Sequence, residues 1–473
     1  MILEQIYTGC LAQGAYYLAS NGEAAIIDPL REIQPYLDRA TKDGVKIKYI
    51  FETHFHADFV SGHVDLAKAT GATIVFGPTT MNVGFDAHIA TDGEVFTIGD
   101  IKLKVIHTPG HTMESSCYLL TDDKGKDSAI FTGDTLFIGD VGRPDLAQKV
   151  IADLTQDKLA RHLYHSLRDK LMPLADDIIV YPAHGAGSAC GKNMSKETSD
   201  TLGNQKKVNY ALQEMSEDEF VEKVLDGLMP PPGYFPQNVL MNIQGYDPIQ
   251  KVISNGMTAL TPEEFEARAN ETGAVILDTR AAQDFAQGFV PNSINIGIDG
   301  NFAVWVGTLV PDIKQEILLV TDEGREEEVV TRLARVGYDH ALGHLQGGFN
   351  SWKNSGKEID TIQSISVDEF ADIQAKDASL NILDVRKASE NFSERIEGSV
   401  NATLDYINES MKLVDKNKTY YVHCAGGYRS MVFASILKAR GYDNLIDIAG
   451  GFNAIKASGK FKTTDYVCPS TML

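Results

Sequence analysis

Long apolar runs are missing from this chain. No stretch of about 18 consecutive apolar residues occurs, so a membrane-spanning helix is not expected. The opening residues, Met1-Ile2-Leu3-Glu4-Gln5-Ile6, carry neither a basic cluster nor a long apolar core, so no secretory leader is expected. Cysteine is scarce. Five in 473 residues, widely scattered, cannot form a disulfide framework and fit reduced thiols in a cytoplasm. Positive charge is also in deficit: 43 Lys and Arg against 65 Asp and Glu give a formal charge of −22. That argues against nucleic acid and anionic membrane as partners, because both require basic surface. It leaves room for a small anionic substrate in a locally basic pocket.

What remains is the composition of a globular protein, 43% apolar and 23% charged. A chain of 473 residues exceeds one ordinary core, so two to four domains are expected. Residues 1 to about 190 alternate short apolar strands with turns: Ala24–Ile27, Lys48–Phe51, Thr73–Phe76, Leu103–His107 and Ala129–Thr132. Several end at a residue capable of chemistry, as α/β enzymes place groups at strand C-termini. A helical stretch is expected over roughly Ser195–Leu228, closed by the stiff run Met229-Pro230-Pro231-Pro232-Gly233. Beyond it the chain repeats itself after about 105 residues. Leu277-Asp278-Thr279-Arg280 matches Leu383-Asp384-Val385-Arg386, and Ser293-Ile294-Asn295 matches Ser399-Val400-Asn401. Gly337-Tyr338-Asp339 matches Gly441-Tyr442-Asp443, and Gly347-Gly348-Phe349-Asn350 matches Gly450-Gly451-Phe452-Asn453. Each copy alternates strand-like and helix-like segments, which predicts two small parallel α/β domains.

Chemistry concentrates first at Thr53-His54-Phe55-His56-Ala57-Asp58-Phe59, directly after the apolar run Ile47–Phe51. A strand ending in His-x-His-x-Asp presents metal ligands from a rigid element. Dinuclear hydrolases built this way supply another histidine at the next position. Here that position is Phe59, which cannot bind a metal, so one metal rather than two is expected. His107-Thr108-Pro109-Gly110-His111, Thr132-Gly133-Asp134, Gly142-Arg143-Pro144-Asp145 and Tyr181-Pro182-Ala183-His184-Gly185 follow in order. A lone histidine is more often structural; their joint occurrence is specific. His63 is expected on a following helix in a packing or surface role. Cys190 sits on a glycine-rich loop after His184, as a spectator thiol or as a carrier of sulfane sulfur.

With these motifs the region 1–250 resembles the metallo-β-lactamase fold, an αββα sandwich with metals at one edge. Within that superfamily it is similar to the persulfide dioxygenases more than to glyoxalase II. The resemblance implies one iron per chain, Fe(2+), held by His54, His111 and Asp134, with Arg143 on the substrate side. Two imidazoles and one carboxylate form a facial triad with open positions, suited to non-heme iron and O2. His56, Asp58 and His184 then become residues that orient the ligands.

The second concentration is Val422-His423-Cys424-Ala425-Gly426-Gly427-Tyr428-Arg429-Ser430, between an apolar strand and the helix-like Met431–Arg440. A cysteine at a helix N-terminus has its thiolate favoured by the macrodipole. Ala425, Gly426, Gly427 and Tyr428 let backbone N–H groups cradle an anionic sulfur species, and Arg429 adds positive charge. The Cys-x4-Arg loop, one residue shorter than a phosphatase loop, resembles a rhodanese active site. The resemblance implies that Cys424 accepts and passes on sulfane sulfur in an active rhodanese domain, 362–465. The earlier copy, 258–357, has Thr321-Asp322-Glu323-Gly324-Arg325 where the cysteine loop belongs. It carries no cysteine, is expected to have a loop about two residues shorter, and reads as a catalytically inactive rhodanese-like domain.

The expected activity is oxidation of a low-molecular-weight thiol persulfide by O2 to sulfite, coupled to formation or use of thiosulfate in sulfide detoxification. Glutathione and coenzyme A are both suitable thiols. Relatives of this kind suggest a homo-oligomer, dimer or tetramer. The alternatives are a zinc thioester hydrolase of the glyoxalase II type fused to a sulfurtransferase, and a non-catalytic sulfur-trafficking protein.

Overall fold

A computed structural model describes residues 1–146, 154–228, 230–377 and 379–468. They form two compact units. The first is Met1–Ile249 with the short piece Ala334–Gly337; the second begins at Gln250.

The first unit holds two six-stranded sheets. One runs in sequence order through β1 (Ile2–Thr8), β2 (Gln13–Ser20), β3 (Glu23–Ile27), β4 (Lys46–Phe51), β5 (Thr73–Phe76) and β6 (His88–Ile89). The other contains β7 (Val95–Ile98), β8 (Ile101–His107), β9 (Ser116–Thr121), β10 (Asp127–Gly133), β11 (Ile179–Pro182) and β12 (Asp200–Thr201). Alternation along each strand sorts its side chains between two cores, because successive Cβ atoms point to opposite faces. From β2, Tyr16 and Leu18 join Phe51, Leu103, Val105, Tyr118, Leu120 and Phe131 in a core made by both sheets. Ala15, Tyr17 and Ala19 of the same strand face the other way, against Ile33, Tyr36 and Leu66. Cys117, Leu119 and Ile130 likewise leave the inter-sheet core to pack with Leu159's neighbours Ala160 and Leu163 and with Phe220. The result is the expected αββα sandwich, with β4, β8, β10 and β11 all ending beside the same group of polar residues.

The helical stretch expected over Ser195–Leu228 is interrupted. It opens with β12 and continues as two separate helices, Leu202–Val208 and Glu217–Leu225. Thr201 caps the first through the Asn204 amide, and Ser216 caps the second through the Glu219 amide. Each cap starts a new helix, so the run cannot be continuous. Of the proline run, Met229 lies outside the described residues. His63 begins the helix His63–Thr70 and is fully buried, a packing position. No helix among the described residues is long and apolar enough to cross a membrane.

The second unit carries the two repeats as two five-stranded sheets. Their central strands are parallel: β13 (Ala259–Leu260), β14 (Val275–Asp278), β15 (Ile294–Asn295), β16 (Ile317–Val320) and β17 (Ala341–Leu345), then β18 (Ser364–Ile365), β19 (Asn381–Asp384), β20 (Val400–Asn401), β21 (Tyr420–His423) and β22 (Leu445–Ile448). The strand orders are equivalent, β13-β17-β16-β14-β15 and β18-β22-β21-β19-β20. The repeated sequence signatures have one physical explanation. Asp278 and Asp384 each hold the guanidinium two residues on, with Nη2 contacts of 2.6 Å from Arg280 and 2.5 Å from Arg386. Each guanidinium lies over the phenylalanine of the Gly-Gly-Phe-Asn signature, 4.3 Å from the Phe349 centroid and 4.0 Å from that of Phe452. Asn295 and Asn401 donate to the backbone of the same Asp and Arg. A buried charge pair must be fully hydrogen-bonded to be tolerated, which is why these residues recur together.

Candidate metal centre and cysteine loop

His54 follows β4, His111 follows β8 across the Pro109-Gly110 turn, Asp134 follows β10 and His184 follows β11. All four are buried. His54 Nε2 and His111 Nε2 lie 3.8 and 3.4 Å from Asp134 Oδ2. Each imidazole is held from behind. His54 Nδ1 is 3.0 Å from Thr53 Oγ1, and His111 Nδ1 is 2.8 Å from the Arg143 carbonyl. A carbonyl can only accept, so His111 Nδ1 donates to it and the Nε2 edge of the ring faces Asp134. Burial, and then the charges of His56, His111 and His184, push the His54 pKa far down and keep that ring neutral. Both Asp134 oxygens are buried with no hydrogen-bond partner among the described residues. Imidazole Nε2 atoms around such a carboxylate fit a divalent metal, whose bonds to such donors are about 2.0–2.2 Å. His54, His111 and Asp134 would hold it.

Thr53 is tied further back. Its Oγ1 donates to Asp28 Oδ2 at 2.9 Å and its amide to Asp28 Oδ1 at 2.8 Å. Asp28 has a positive φ of 50°, a conformation non-glycine residues rarely adopt and one often found at functional sites. With its hydroxyl proton given to Asp28, Thr53 Oγ1 accepts from His54 Nδ1–H. Gly133 is forced to be glycine here, since a Cβ would stand 2.5 Å from Thr53 Oγ1. Neither Asp28 nor Thr53 is among the site residues expected from sequence; the carboxylate ending β3 ahead of Pro29 was the available signal. We expect Thr53→Val to weaken metal retention about 10- to 100-fold and Thr53→Ser to preserve it. Chelator competition measures this, and wild-type retention by the valine variant would refute the relay.

The other histidines divide. His56 turns away, with Nε2 3.1 Å from Asp28 Oδ1 and 3.4 Å from Glu52 Oε2. Burial lowers its pKa, but the Asp28, Glu52 and Asp58 carboxylates outweigh burial and raise it to about 9. A ring nitrogen of His56 also lies within 4.8 Å of ligand atoms of Asp58 and His184. The Phe59 ring packs on the His56 ring at 4.3 Å between centroids. His184 differs: its Nδ1 faces the Ala12 carbonyl at 3.3 Å, while Nε2 lies 3.4 Å from Asp58 Oδ2 and 3.6 Å from Asp134 Oδ1. Asp134 thus has one oxygen toward His54 and His111 and the other toward His184. Cys190 is buried and within 4.8 Å of ligand atoms of Asp134 and His184. Burial, followed by the Asp58 and Asp134 charges, pushes its thiol well up, so it sits there as the neutral thiol. Arg143 is buried and bidentate to Asp145, with Nε and Nη2 each 2.7 Å from an oxygen.

In the second unit Cys424 directly follows β21 and is buried. Gly427 N donates to its Sγ at 3.1 Å and Ser430 Oγ lies 3.7 Å away. The helix Tyr428–Ala439 starts at once beyond the loop. Arg429 makes a bidentate pair with Glu390, at 2.6 and 2.9 Å, so the positive charge expected on the loop is matched by a carboxylate 39 residues earlier. In the copy without a cysteine β14 pairs Asp278 with Val320 as β19 pairs Asp384 with His423. Thr321 therefore occupies the place of Cys424. Its loop is not shorter: its helix, Glu326–Arg335, begins six residues after Val320, whereas Tyr428 comes five after His423. The missing length falls in the helix, 10 residues against 12.

Comparison with known proteins agrees with both folds. A metallo-beta-lactamase superfamily model matches residues 8–184, and a rhodanese-like domain model matches residues 261–355 and 366–458. Hydroxyacylglutathione hydrolase of Rhizobium etli is 39% identical over 34% of this chain and 57% of its own length. Persulfide dioxygenase ETHE1, mitochondrial, of Homo sapiens is 30% identical over 39% of this chain and 68% of its own length. The crystal structure of a metallo-beta-lactamase from Staphylococcus aureus subsp. aureus COL superimposes with a TM-score of 0.64 and 32% identity, over 73% of this chain and 99% of that one. The chain spans little more than half the length of the Rhizobium etli hydrolase, 57%.

Proposed function

We propose that this chain, which belongs to the metallo-beta-lactamase superfamily and carries two rhodanese-like domains, is an iron-dependent persulfide dioxygenase coupled to sulfur transfer. The reaction is RSSH + O2 + H2O → RSH + SO3²⁻ + 2H⁺. The carrying observation is the asymmetry of the motif. His54 and His111 aim Nε2 at Asp134, while His56 is held by Asp28 and packed under Phe59. With His56 held there, the Oδ2 side of Asp134 faces two histidines, His54 and His111, and these with the carboxylate are the proposed iron set; His184 faces Oδ1. A single Fe(2+) held there supplies the redox chemistry that couples O2 to a sulfur substrate. The residues around it do the rest. Thr53 and the Arg143 carbonyl fix the ring orientations, and burial of His54, His111 and Asp134 keeps bulk water from the donors. Arg143, neutralised by Asp145, orders the turn that carries the carbonyl gripping His111. The human persulfide dioxygenase among the relatives supports this reading.

At the second site Cys424 takes the outer sulfur of a persulfide. A Cys424 Sγ–S bond forms, the RS–S bond breaks, and the thiol leaves with its electron pair. Sulfite then attacks that sulfur, forming thiosulfate and restoring the thiolate. The reverse sequence loads Cys424 from thiosulfate.

A second reading, a zinc thioester hydrolase with an attached sulfurtransferase, is favoured by one observation. Asp58 and His184 stand beside the free Asp134 oxygen, as a second cation position would need. Hydroxyacylglutathione hydrolases among the relatives point the same way and toward glutathione-linked substrates. The test is anaerobic purification with metal quantification, then incubation with glutathione and coenzyme A persulfides while O2 and sulfite are followed. Near-stoichiometric iron with O2 uptake is expected. Zinc-loaded protein with thioesterase activity and no O2 uptake overturns the dioxygenase.

A further inference from the structure

The copy without a cysteine has no chemistry to perform, yet its residues reach the loop that does. Tyr428, the residue between Gly427 and Arg429, does not point its hydroxyl at the sulfur. It donates to the Gly297 carbonyl of the inactive copy at 2.7 Å. The ring lies against the same segment so closely that a Cβ on Gly300 would be 2.7 Å from Cε2, and one on Gly297 3.3 Å. Burial pushes the Tyr428 hydroxyl up, so it remains a donor at all physiological pH. Farther along the same helix, the Asn295 amide of the inactive copy donates to the buried Ser435 Oγ at 2.9 Å. Gln283 of that copy donates to Asp447, at the end of the strand beside β21, at 3.1 Å.

These contacts bear directly on Cys424. The loop amide on Sγ belongs to Gly427, whose φ is +97°, and Gly427 is bonded to Tyr428. Fixing Tyr428 fixes the direction of that N–H. We propose that the cysteine-free copy is a positioning domain for sulfur transfer, holding the Cys424 loop in its sulfur-accepting shape through the Tyr428 hydroxyl on the Gly297 carbonyl. Tyr428 is then a positioning residue and not a substrate contact. The inference rests on the reading of Cys424 as a sulfur acceptor, and the experiment separates the two.

Full-length protein is mixed with glutathione persulfide, and the gain of one sulfur atom on Cys424, about 32 Da, is followed by mass spectrometry. The pH dependence of Cys424 alkylation by iodoacetamide is measured alongside. Wild-type protein that never gains sulfur overturns the acceptor reading itself. Given a loading wild type, Tyr428→Phe and Gly300→Ala are expected to slow loading about tenfold and to move the alkylation profile to higher pH, because a misdirected N–H no longer stabilises the thiolate. Ser435→Ala, which loosens the same interface away from the loop, is expected to lower thermal stability and leave the profile in place. Loading rates and profiles unchanged in both loop variants overturn the positioning role. So does a Ser435→Ala shift as large as that of Tyr428→Phe, since the effect would then be general loosening.

Discussion

Asp134→Ala should lose the metal and gain stability without it. Its carboxylate faces three histidines, with Oδ2 toward His54 and His111 and Oδ1 toward His184. Removing a ligand should exceed the loss caused by removing a residue behind one, so metal affinity is expected to fall more than about 100-fold and O2-dependent turnover with it. The stability expectation has the opposite sign. Among the described residues both oxygens are buried without a hydrogen-bond partner, and an unsatisfied buried polar group costs about 1–3 kcal/mol, more when charged. Metal-stripped Asp134→Ala should therefore melt at or above the temperature of metal-stripped wild type. With metal restored the order should reverse, because only wild type gains binding free energy on folding. Metal quantification and thermal melts of both forms measure it. A variant that keeps a full complement of metal would remove Asp134 from the site.

The residues proposed as ligands stand out in the sequence because each belongs to a local motif. His54, His111 and Asp134 come shortly after the apolar strands β4, β8 and β10, whose ends can be read from the apolar pattern. The internal repeat was legible for a similar reason, since Asp384 and Arg386 are two residues apart and make one pair. What the sequence hid are partners that meet only in three dimensions. The Arg143 carbonyl behind His111 and the Asp28–Thr53 relay behind His54 depend on how strand ends converge, which periodicity does not report. Glu390 lies 39 residues before Arg429, so a cation that reads as unpaired is in fact matched. Tyr428 reads as part of the sulfur cradle, and only the packing of the two copies sends its hydroxyl to Gly297. The interrupted helix after Ser195 is a different kind of miss. Thr201, Asn209 and Ser216 each cap a separate element, and such caps divide the run.

Cys424→Ser should separate the two chemistries without touching the first. The proposed metal-binding set, His54, His111 and Asp134, and the cysteine loop, residues 424–429, follow strands of different sheets. Oxygen uptake with a thiol persulfide should thus persist, with sulfite accumulating. Serine keeps the shape of the loop and still accepts the Gly427 N–H, but an alkoxide is not available at neutral pH to attack sulfur, whereas a thiolate is. Thiosulfate formation should drop at least about 1,000-fold, as expected when a nucleophile that forms the covalent intermediate is removed. The electron count requires this split. Oxidation of the outer sulfur to sulfite consumes one O2 per persulfide, while transfer of sulfane sulfur to sulfite consumes none. In wild type, thiosulfate should appear with one O2 consumed for every two persulfides; in the variant, sulfite should appear with one O2 for each. If Cys424→Ser still makes thiosulfate at the wild-type ratio, sulfur does not pass through this loop, and the rhodanese-like copy would need another role.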